Sequence, residues 1–114
     1  MADINAFAFT RAVQVICDSS DLVVSYDIQI LDDTVVKMRV ILTNGTFIDV
    51  FHNADSGKRS YALIEEAVRV FGADNAFIGW HIHPFDNPSQ HIPSAEISFD
   101  QFMVLIEDHF AKKQ

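Results

Sequence analysis

The sequence predicts an α+β fold, an antiparallel sheet of about five or six strands with an N-terminal and a C-terminal helix packed on it. Two observations carry this prediction. In the middle of the chain, apolar and polar residues alternate with a period of two, which is typical of strands that bury one face. Towards both ends, apolar residues recur at helical spacing instead.

The first helix is predicted over residues 4–17. Polar residues such as Arg11 fall on one side of a helical wheel, and apolar residues such as Phe7 and Val15 fall elsewhere. Asp3 is a candidate N-cap, because its carboxylate can accept a hydrogen bond from the free amides of the first turn. We expect this helix to cover one face of the sheet.

Three strands are predicted next, over residues 24–30, 36–42 and 46–52. Asp32-Asp33 supplies the first turn. Asn44-Gly45 is the strongest hairpin signal in the chain, because a type I′ turn needs a positive φ at both central positions. Together these segments predict an antiparallel meander with one apolar face.

The segment 59–72 fits two structures. Tyr61 and Ile64 belong to a series of apolar residues at helical spacing, and this periodicity slightly favours a helix. The same segment also fits two strands around a turn at Glu65-Glu66. The residues themselves leave both alternatives open.

The rest of the chain predicts a strand, a loop and a helix. Residues 77–83 are aromatic and β-branched, which predicts a strand, and Pro84 ends its pairing. Residues 85–94 contain prolines and small polar side chains, which predict a loop. Ser98 and Gln101 have the spacing of a capping box. The apolar face of the helix that they begin comprises Phe99, Phe102, Met103, Ile106 and Phe110.

Size and composition restrict the class of protein. The 114 residues, 49% of them apolar, are enough for one domain with its own core, which we expect to span residues 1–114. The lone Cys17 cannot form an internal disulfide, no secretory signal is evident, and no apolar run approaches the roughly 20 residues that span a bilayer. We therefore expect a cytoplasmic protein without membrane association, with Cys17 in the core.

The net charge of −8 disfavours a broad contact with nucleic-acid backbones or anionic lipid, since like charges repel at long range. Lys58, Arg59 and Arg69 are the candidates for a local basic patch.

The clearest functional feature is His81-Ile82-His83, followed by His91. Residues two apart in a strand point to the same side, so the side chains of His81 and His83 project together. The loop that follows can bring His91 and Asp86 back over them. Three imidazoles and one carboxylate would suit zinc or another divalent transition metal, with His81, His83, His91 and Asp86 as ligands.

A second interpretation needs no metal. Imidazole changes charge near neutral pH, so one histidine can act as a base and another as an acid, which is what RNA cleavage by its own 2′-hydroxyl requires. His81 or His83 would be one partner, and His91 would be the other. Arg59, Arg69 or Lys58 would bind the phosphate, and Arg69 is the candidate that we select. In a third interpretation, the same histidines only hold the loop or an ion in a non-catalytic metal-binding or protein-interaction domain.

His81-Ile82-His83-Pro84 resembles the His-x-His-Pro part of the motif of JAMM-class metalloproteases. In that class a Ser-x-x-Asp follows, but Ser89, Ser94 and Ser98 have no Asp three residues later. A small metal-dependent hydrolase is therefore an alternative that half of the motif supports.

Over residues 26–110 the order of motifs resembles the TumE-type family of small toxins from bacterial and archaeal toxin–antitoxin modules. Asp74-Asn75-Ala76 is similar to that family's Asp-Asn-Ala segment, and the three histidines are similar to its histidine-rich stretch. The other matching pieces are the hairpin at Asn44-Gly45, the strand with Tyr61, and Arg69 before Asp74.

This resemblance implies that residues 59–72 form a hairpin and not a helix. It also implies a toxin-like intracellular protein that acts on RNA or translation, with a helix-turn-helix-type antitoxin as its protein partner. Independently of the resemblance, an exposed edge strand would make a homodimer easy to form.

Overall fold

The computed structural model describes residues 5–77 and 79–113. Within them the chain forms a seven-stranded antiparallel sheet and two helices, in the following order: α1 (Ala6–Asp18), β1 (Val23–Leu31), β2 (Val35–Leu42), β3 (Phe47–Asn53), β4 (Arg59–Glu65), β5 (Val68–Asp74), β6 (His81–His83), β7 (Ile92–Pro93) and α2 (Phe99–Lys112). Each strand pairs with its neighbours in sequence. The predicted α+β fold is confirmed, with slightly more strands than expected.

Both helices lie on the same face of the sheet. The first helix, α1, lies against β1, β2 and β3. The second helix, α2, covers β4 and β5, where the ring centroid of Phe102 lies 5.1 Å from that of Tyr61 and 5.3 Å from that of Phe71. The other face, called here the open face, carries the side chains that alternate with this core. Among them are Lys37, Asp49, Ser60 and Ala62.

The start of α1 differs in detail from the prediction. Asn5 is the N-cap, and its side chain accepts a hydrogen bond of 2.8 Å from the Ala8 amide. The predicted cap, Asp3, lies outside the described residues. The helical wheel also misjudged Phe7 and Val15, which are 57% and 50% exposed. The buried positions are Ala6, Phe9, Thr10, Val13 and Cys17.

Cys17 belongs to the core, as expected. Burial, together with the neighbouring charge of Asp18, raises the pKa of its thiol to about 12. Because the thiolate is the nucleophilic form, this cysteine is not suited to catalysis.

The turn at Asn44-Gly45 forms, but its type differs from the prediction. Among the turn residues only Gly45 has a positive φ, of 86°, and its amide donates a hydrogen bond to the carbonyl of Leu42. The loop is therefore a three-residue connection with glycine in the left-handed position. Two consecutive positive φ angles occur instead at Asp32 and Asp33.

Residues 59–72 belong to the β4–β5 hairpin, so the helix favoured by periodicity is wrong. Glu66 and Ala67 both have positive φ angles, which matches the twist of two paired strands. A bulge explains the misleading periodicity: Leu63 pairs with Phe71 but Ile64 pairs with Arg69, so β5 holds one extra residue.

The end of the chain follows the prediction with shorter strands. β6 begins at His81 and not at position 77, because positive φ angles at Phe77 and Gly79 interrupt extended backbone. The predicted loop contains the two-residue strand β7. The capping box of Ser98 and Gln101 is present at the start of α2. None of the helices in the described part of the chain is long and apolar enough to cross a bilayer.

Candidate functional site

Strand register places a cluster of ionisable side chains on the open face. Asp74 in β5 pairs with His81 in β6, and Gly72 pairs with His83. Ala73 lies between Gly72 and Asp74 in β5 and pairs with Tyr61. Since the ring of Tyr61 contacts Phe99 in α2, Ala73 faces the helices. Because side chains alternate along a strand, Asp74 and both histidines point away from the helices. The prediction that His81 and His83 project together is confirmed.

The carboxylate of Asp74 joins the two histidines. Its Oδ1 lies 3.1 Å from His81 Nε2, and its Oδ2 lies 2.9 Å from His83 Nε2. The Ala76 amide donates a further hydrogen bond of 3.0 Å to Oδ1. The side chains of His81, His83 and Asp74 are only 7%, 3% and 16% exposed, so water screens these contacts little.

The pKa of Asp74 reflects opposing influences. Partial burial raises it, but the hydrogen bonds from the Ala76 amide and His83, together with the charges of His81 and His83, outweigh burial and lower the pKa below its ordinary value. Asp74 is therefore an ionised hydrogen-bond acceptor at neutral pH.

The hydrogen-bond partners distinguish the two histidines. His81 faces an acceptor at each ring nitrogen, with the Gly79 carbonyl 3.0 Å from Nδ1 and Asp74 at Nε2, and only a doubly protonated ring satisfies both. His83 Nδ1 instead lies 3.4 Å from the guanidinium Nη2 of Arg69, which is a donor. His83 Nδ1 thus faces a donor, while its Nε2 lies 2.9 Å from Asp74 Oδ2.

The loop after β6 brings His91 to the pair, as the sequence predicts. Its ring centroid lies 4.9 Å from that of His81 and 4.6 Å from that of His83. The candidate ligand nitrogens of the three rings all lie within 4.8 Å of one another, a group that could hold a metal ion. His91 differs from the others in being exposed.

The bulge in β5 places Arg69 beside the cluster. Arg69 and Phe71 are two residues apart, yet the extra residue between them puts Arg69 on the open face and Phe71 in the core. The guanidinium Nη2 donates a hydrogen bond of 3.1 Å to the carbonyl of Pro88, so Arg69 also holds the loop. The donors of this guanidinium that contact none of the described residues are available to an anion.

Gly72 provides the space for this arrangement, which gives a first prediction. A Cβ there would lie 3.0 Å from the Tyr61 backbone oxygen and 3.2 Å from Arg69 Cδ. Gly72→Ala should therefore displace Arg69 and lower the free energy of unfolding by about 1–2 kcal/mol in urea denaturation, because crowding outweighs the lower entropy of the unfolded chain. Unchanged stability would show that the strand absorbs the methyl group.

Other predicted candidates lie away from the cluster. The exposed carboxylate of Asp86 is outside the group of candidate metal ligands among the described residues, and its charge acts on His109 in α2. The assignment of Asp86 as a metal ligand is therefore not supported, since its carboxylate lies outside the group whose ligand atoms are within 4.8 Å of one another. His52 lies on the helix-covered face, stacked on Phe9 at 4.4 Å. Arg59 lies over the ring of Phe9 on that same face.

Asp74 is the residue that motif reasoning did not assign to the site. In the sequence, Asp74 stands out only as part of Asp74-Asn75-Ala76. The available signal was the similarity of that segment to the Asp-Asn-Ala segment of the TumE-type family. Its position opposite His81 depends on the register of β5 and β6, which the sequence does not specify.

Comparison of the chain with models of known protein families, with curated proteins and with solved structures finds no match. Function is therefore inferred from the geometry of the cluster.

Proposed function

We propose that the cluster cleaves single-stranded RNA by general acid–base catalysis. The observation that carries this proposal is that His81 and His91 line one cavity, with His81 Nε2 3.1 Å from Asp74 Oδ1. A base and an acid that reach neighbouring oxygens of one phosphodiester are the minimum for attack by the 2′-hydroxyl.

Each side chain has a distinct role in this proposal. His91 is exposed, and none of the described residues forms a hydrogen bond with its ring nitrogens, so it is the base that removes the proton of the 2′-hydroxyl. The 2′-oxygen attacks phosphorus, and the bond from phosphorus to the 5′-oxygen breaks. His81 moves its Nε2–H from Asp74 to the 5′-oxygen and protonates it. The products are a 2′,3′-cyclic phosphate and a free 5′-hydroxyl.

The other members of the cluster support this pair. His83 is not among the residues that line the cavity, and it contacts Asp74 and Arg69, so it fixes the position of Asp74. Arg69 has a guanidinium at the edge of the cluster, and the donors that contact none of the described residues would bind the phosphate oxygens.

The first test is cleavage of a labelled single-stranded RNA and of a DNA of the same sequence. RNA should be cleaved to cyclic-phosphate ends, whereas DNA should resist because it lacks the 2′-hydroxyl. His81→Ala and His91→Ala should each slow cleavage by about 100-fold or more. Asp86→Asn, which changes an exposed acid outside the cluster, should cleave like the wild type. Equal cleavage of DNA, or full activity in both histidine variants, would reject the mechanism.

At the cellular level, we propose a toxin of the TumE type that acts in the cytoplasm and is restrained by an antitoxin protein. The support is the order of motifs, together with a cluster suited to RNA cleavage. Expression of the chain alone should slow the growth of a bacterial host, and His81→Ala should relieve the effect. Normal growth with well-expressed, folded wild-type protein would reject the toxin role.

Metal binding is a second candidate function, favoured by the convergence of three imidazole nitrogens. His81 donates Nδ1–H to the Gly79 carbonyl, which is the usual support of a histidine that binds a metal through Nε2. The contact of Arg69 with His83 argues against it, because it leaves a proton on the Nε2 of His83.

Metal analysis separates the two candidates. Protein purified without a histidine tag should contain less than about 0.1 equivalent of zinc or any other transition metal if the acid–base mechanism holds, since a stable site would retain its ion. Chelation should also leave RNA cleavage unchanged. One bound equivalent, with activity lost on chelation and restored by zinc, would favour the metal centre.

A further inference from the structure

A cavity of about 260 Å³ lies beside the cluster, at the start of β6, and is here called the ring cavity. Its lining is mainly apolar but includes the two histidines proposed as acid and base. A molecule bound in it would therefore contact the reacting groups. The lining residues are Ala76, Phe77, Trp80, His81, His91 and Pro93.

Phe77 lines the ring cavity and is unusual in both its exposure and its backbone conformation. Its side chain is fully exposed, and its φ is +63°, a strained conformation for a bulky residue. Neither burial nor backbone preference accounts for a phenyl ring held there. Strain of this kind is concentrated at ligand-binding and active sites. On its other side, Phe77 borders a shallow pocket that Lys58 also lines.

We propose that the ring cavity binds the nucleobase next to the phosphodiester that is cleaved; this inference rests on the proposed function. The base would stack on Phe77 and Trp80, while its ribose and phosphate face His81 and His91. The cavity is slightly smaller than the roughly 300–1,000 Å³ of sites for drug-sized ligands, which suits a single ring system.

The charge of the chain supports stacking as the main source of affinity. With a net charge of −8, few cations are available to hold a phosphate backbone. Stacking on aromatic side chains needs no net positive charge and accepts any base, provided that the base is unpaired. The substrate class is therefore single-stranded RNA or a loop in which bases are exposed.

Trp80 is the single tryptophan of the chain, so its fluorescence can report binding in the ring cavity. Titration of the wild-type protein with 3′-cytidine, 3′-uridine, 3′-adenosine and 3′-guanosine monophosphates should quench or shift the tryptophan emission in a saturable way. Inorganic phosphate and ribose 5-phosphate, which lack the ring, should leave it unchanged. Equal responses to phosphate and nucleotide would overturn the proposal, because the recognised group would then be the phosphate.

Two substitutions test whether the nucleotide binds in the ring cavity. Phe77→Ala should weaken nucleotide binding by about tenfold or more and raise the KM for RNA, since one stacking contact is lost. Because the ring is fully exposed, the fold should not depend on it. Phe7→Ala removes an exposed phenyl ring from α1 and should bind nucleotides like the wild type. Equal affinity in wild type and Phe77→Ala would overturn the proposal.

The outcomes separate this inference from the proposed function. Cleavage of RNA without Phe77-dependent nucleotide binding would reject the ring cavity but keep the mechanism. Phe77-dependent nucleotide binding without cleavage of any single-stranded RNA would reject the mechanism but keep the base site. Binding of N-acetyltyrosinamide as tight as that of the nucleotides would overturn the inference by assigning the cavity to an aromatic side chain of a protein partner.

Discussion

Replacement of Asp74 by asparagine should slow RNA cleavage by about 100-fold or more while the protein stays folded. The carboxylate accepts one hydrogen bond from each of His81 and His83, and an asparagine side chain can accept only one of them. Its amide group would face the N–H of the other ring, so that at least one imidazole turns away. Asp74 is therefore a positioning residue that acts through His81.

The measurement is kcat and KM on a short RNA, with far-UV circular dichroism to verify the fold. A positioning role predicts a fall in kcat and an altered pH profile, because the proton on His81 loses its acceptor. Asp86→Asn is the matched control, since it makes the same chemical change outside the cluster. A folded Asp74→Asn protein with wild-type kcat would remove Asp74 from the mechanism.

The same substitution also bears on stability at low pH. The pKa of Asp74 is lowered in the folded protein, so its ionised form stabilises the fold above the unfolded value of about 3.9. This contribution is lost as the pH falls through the lowered folded value. In Asp74→Asn the acid decline of stability should therefore be shallower than in the wild type.

Phe102→Ala should lower the free energy of unfolding by about 3–5 kcal/mol. Phe102 is fully buried, and its ring contacts both Tyr61 and Phe71, so the substitution leaves a cavity between α2 and the sheet. Such a loss is a large part of the stability of roughly 5–15 kcal/mol that a domain of this kind has.

Urea denaturation followed by circular dichroism would measure this effect. Leu105→Ala is the matched control on the same helix, because Leu105 is 40% exposed and should lose about 1 kcal/mol or less. If Phe102→Ala does not fold, Phe102→Leu gives a graded loss that can still be measured. A loss of under about 1 kcal/mol for both Phe102 variants would show that α2 is not tightly packed.

The sequence predicts the parts of this structure that depend on local pattern. Alternation defines the long strands, the helical spacing of Phe99, Phe102 and Ile106 defines the buried face of α2, and the two-residue spacing of His81 and His83 puts both rings on one side. The sequence predicts these features because each depends on the pattern within a single helix or strand.

Features that depend on how two or more elements fit together cannot be predicted from the pattern of one element. Asp74 reaches the histidines through the register between β5 and β6. Asp86 is close to them in sequence, but its carboxylate lies outside the group of candidate ligands. The bulge in β5 disturbs the strand period of 59–72. In each case the placement depends on how separate elements or a loop fold together, and not on the pattern within one element.

The extra residue in β5 has a further consequence for how the protein can change over time. It lets two residues that are two apart along the chain lie on opposite faces of the sheet. Without Val70 the strand would pair regularly, and Arg69 and Phe71 would keep their faces because they would then be consecutive. With Val70 kept but the bulge flattened, either Arg69 would turn towards the interior or Phe71 towards solvent. The shape of this hairpin therefore tolerates the loss of its extra residue better than the loss of the bulge alone.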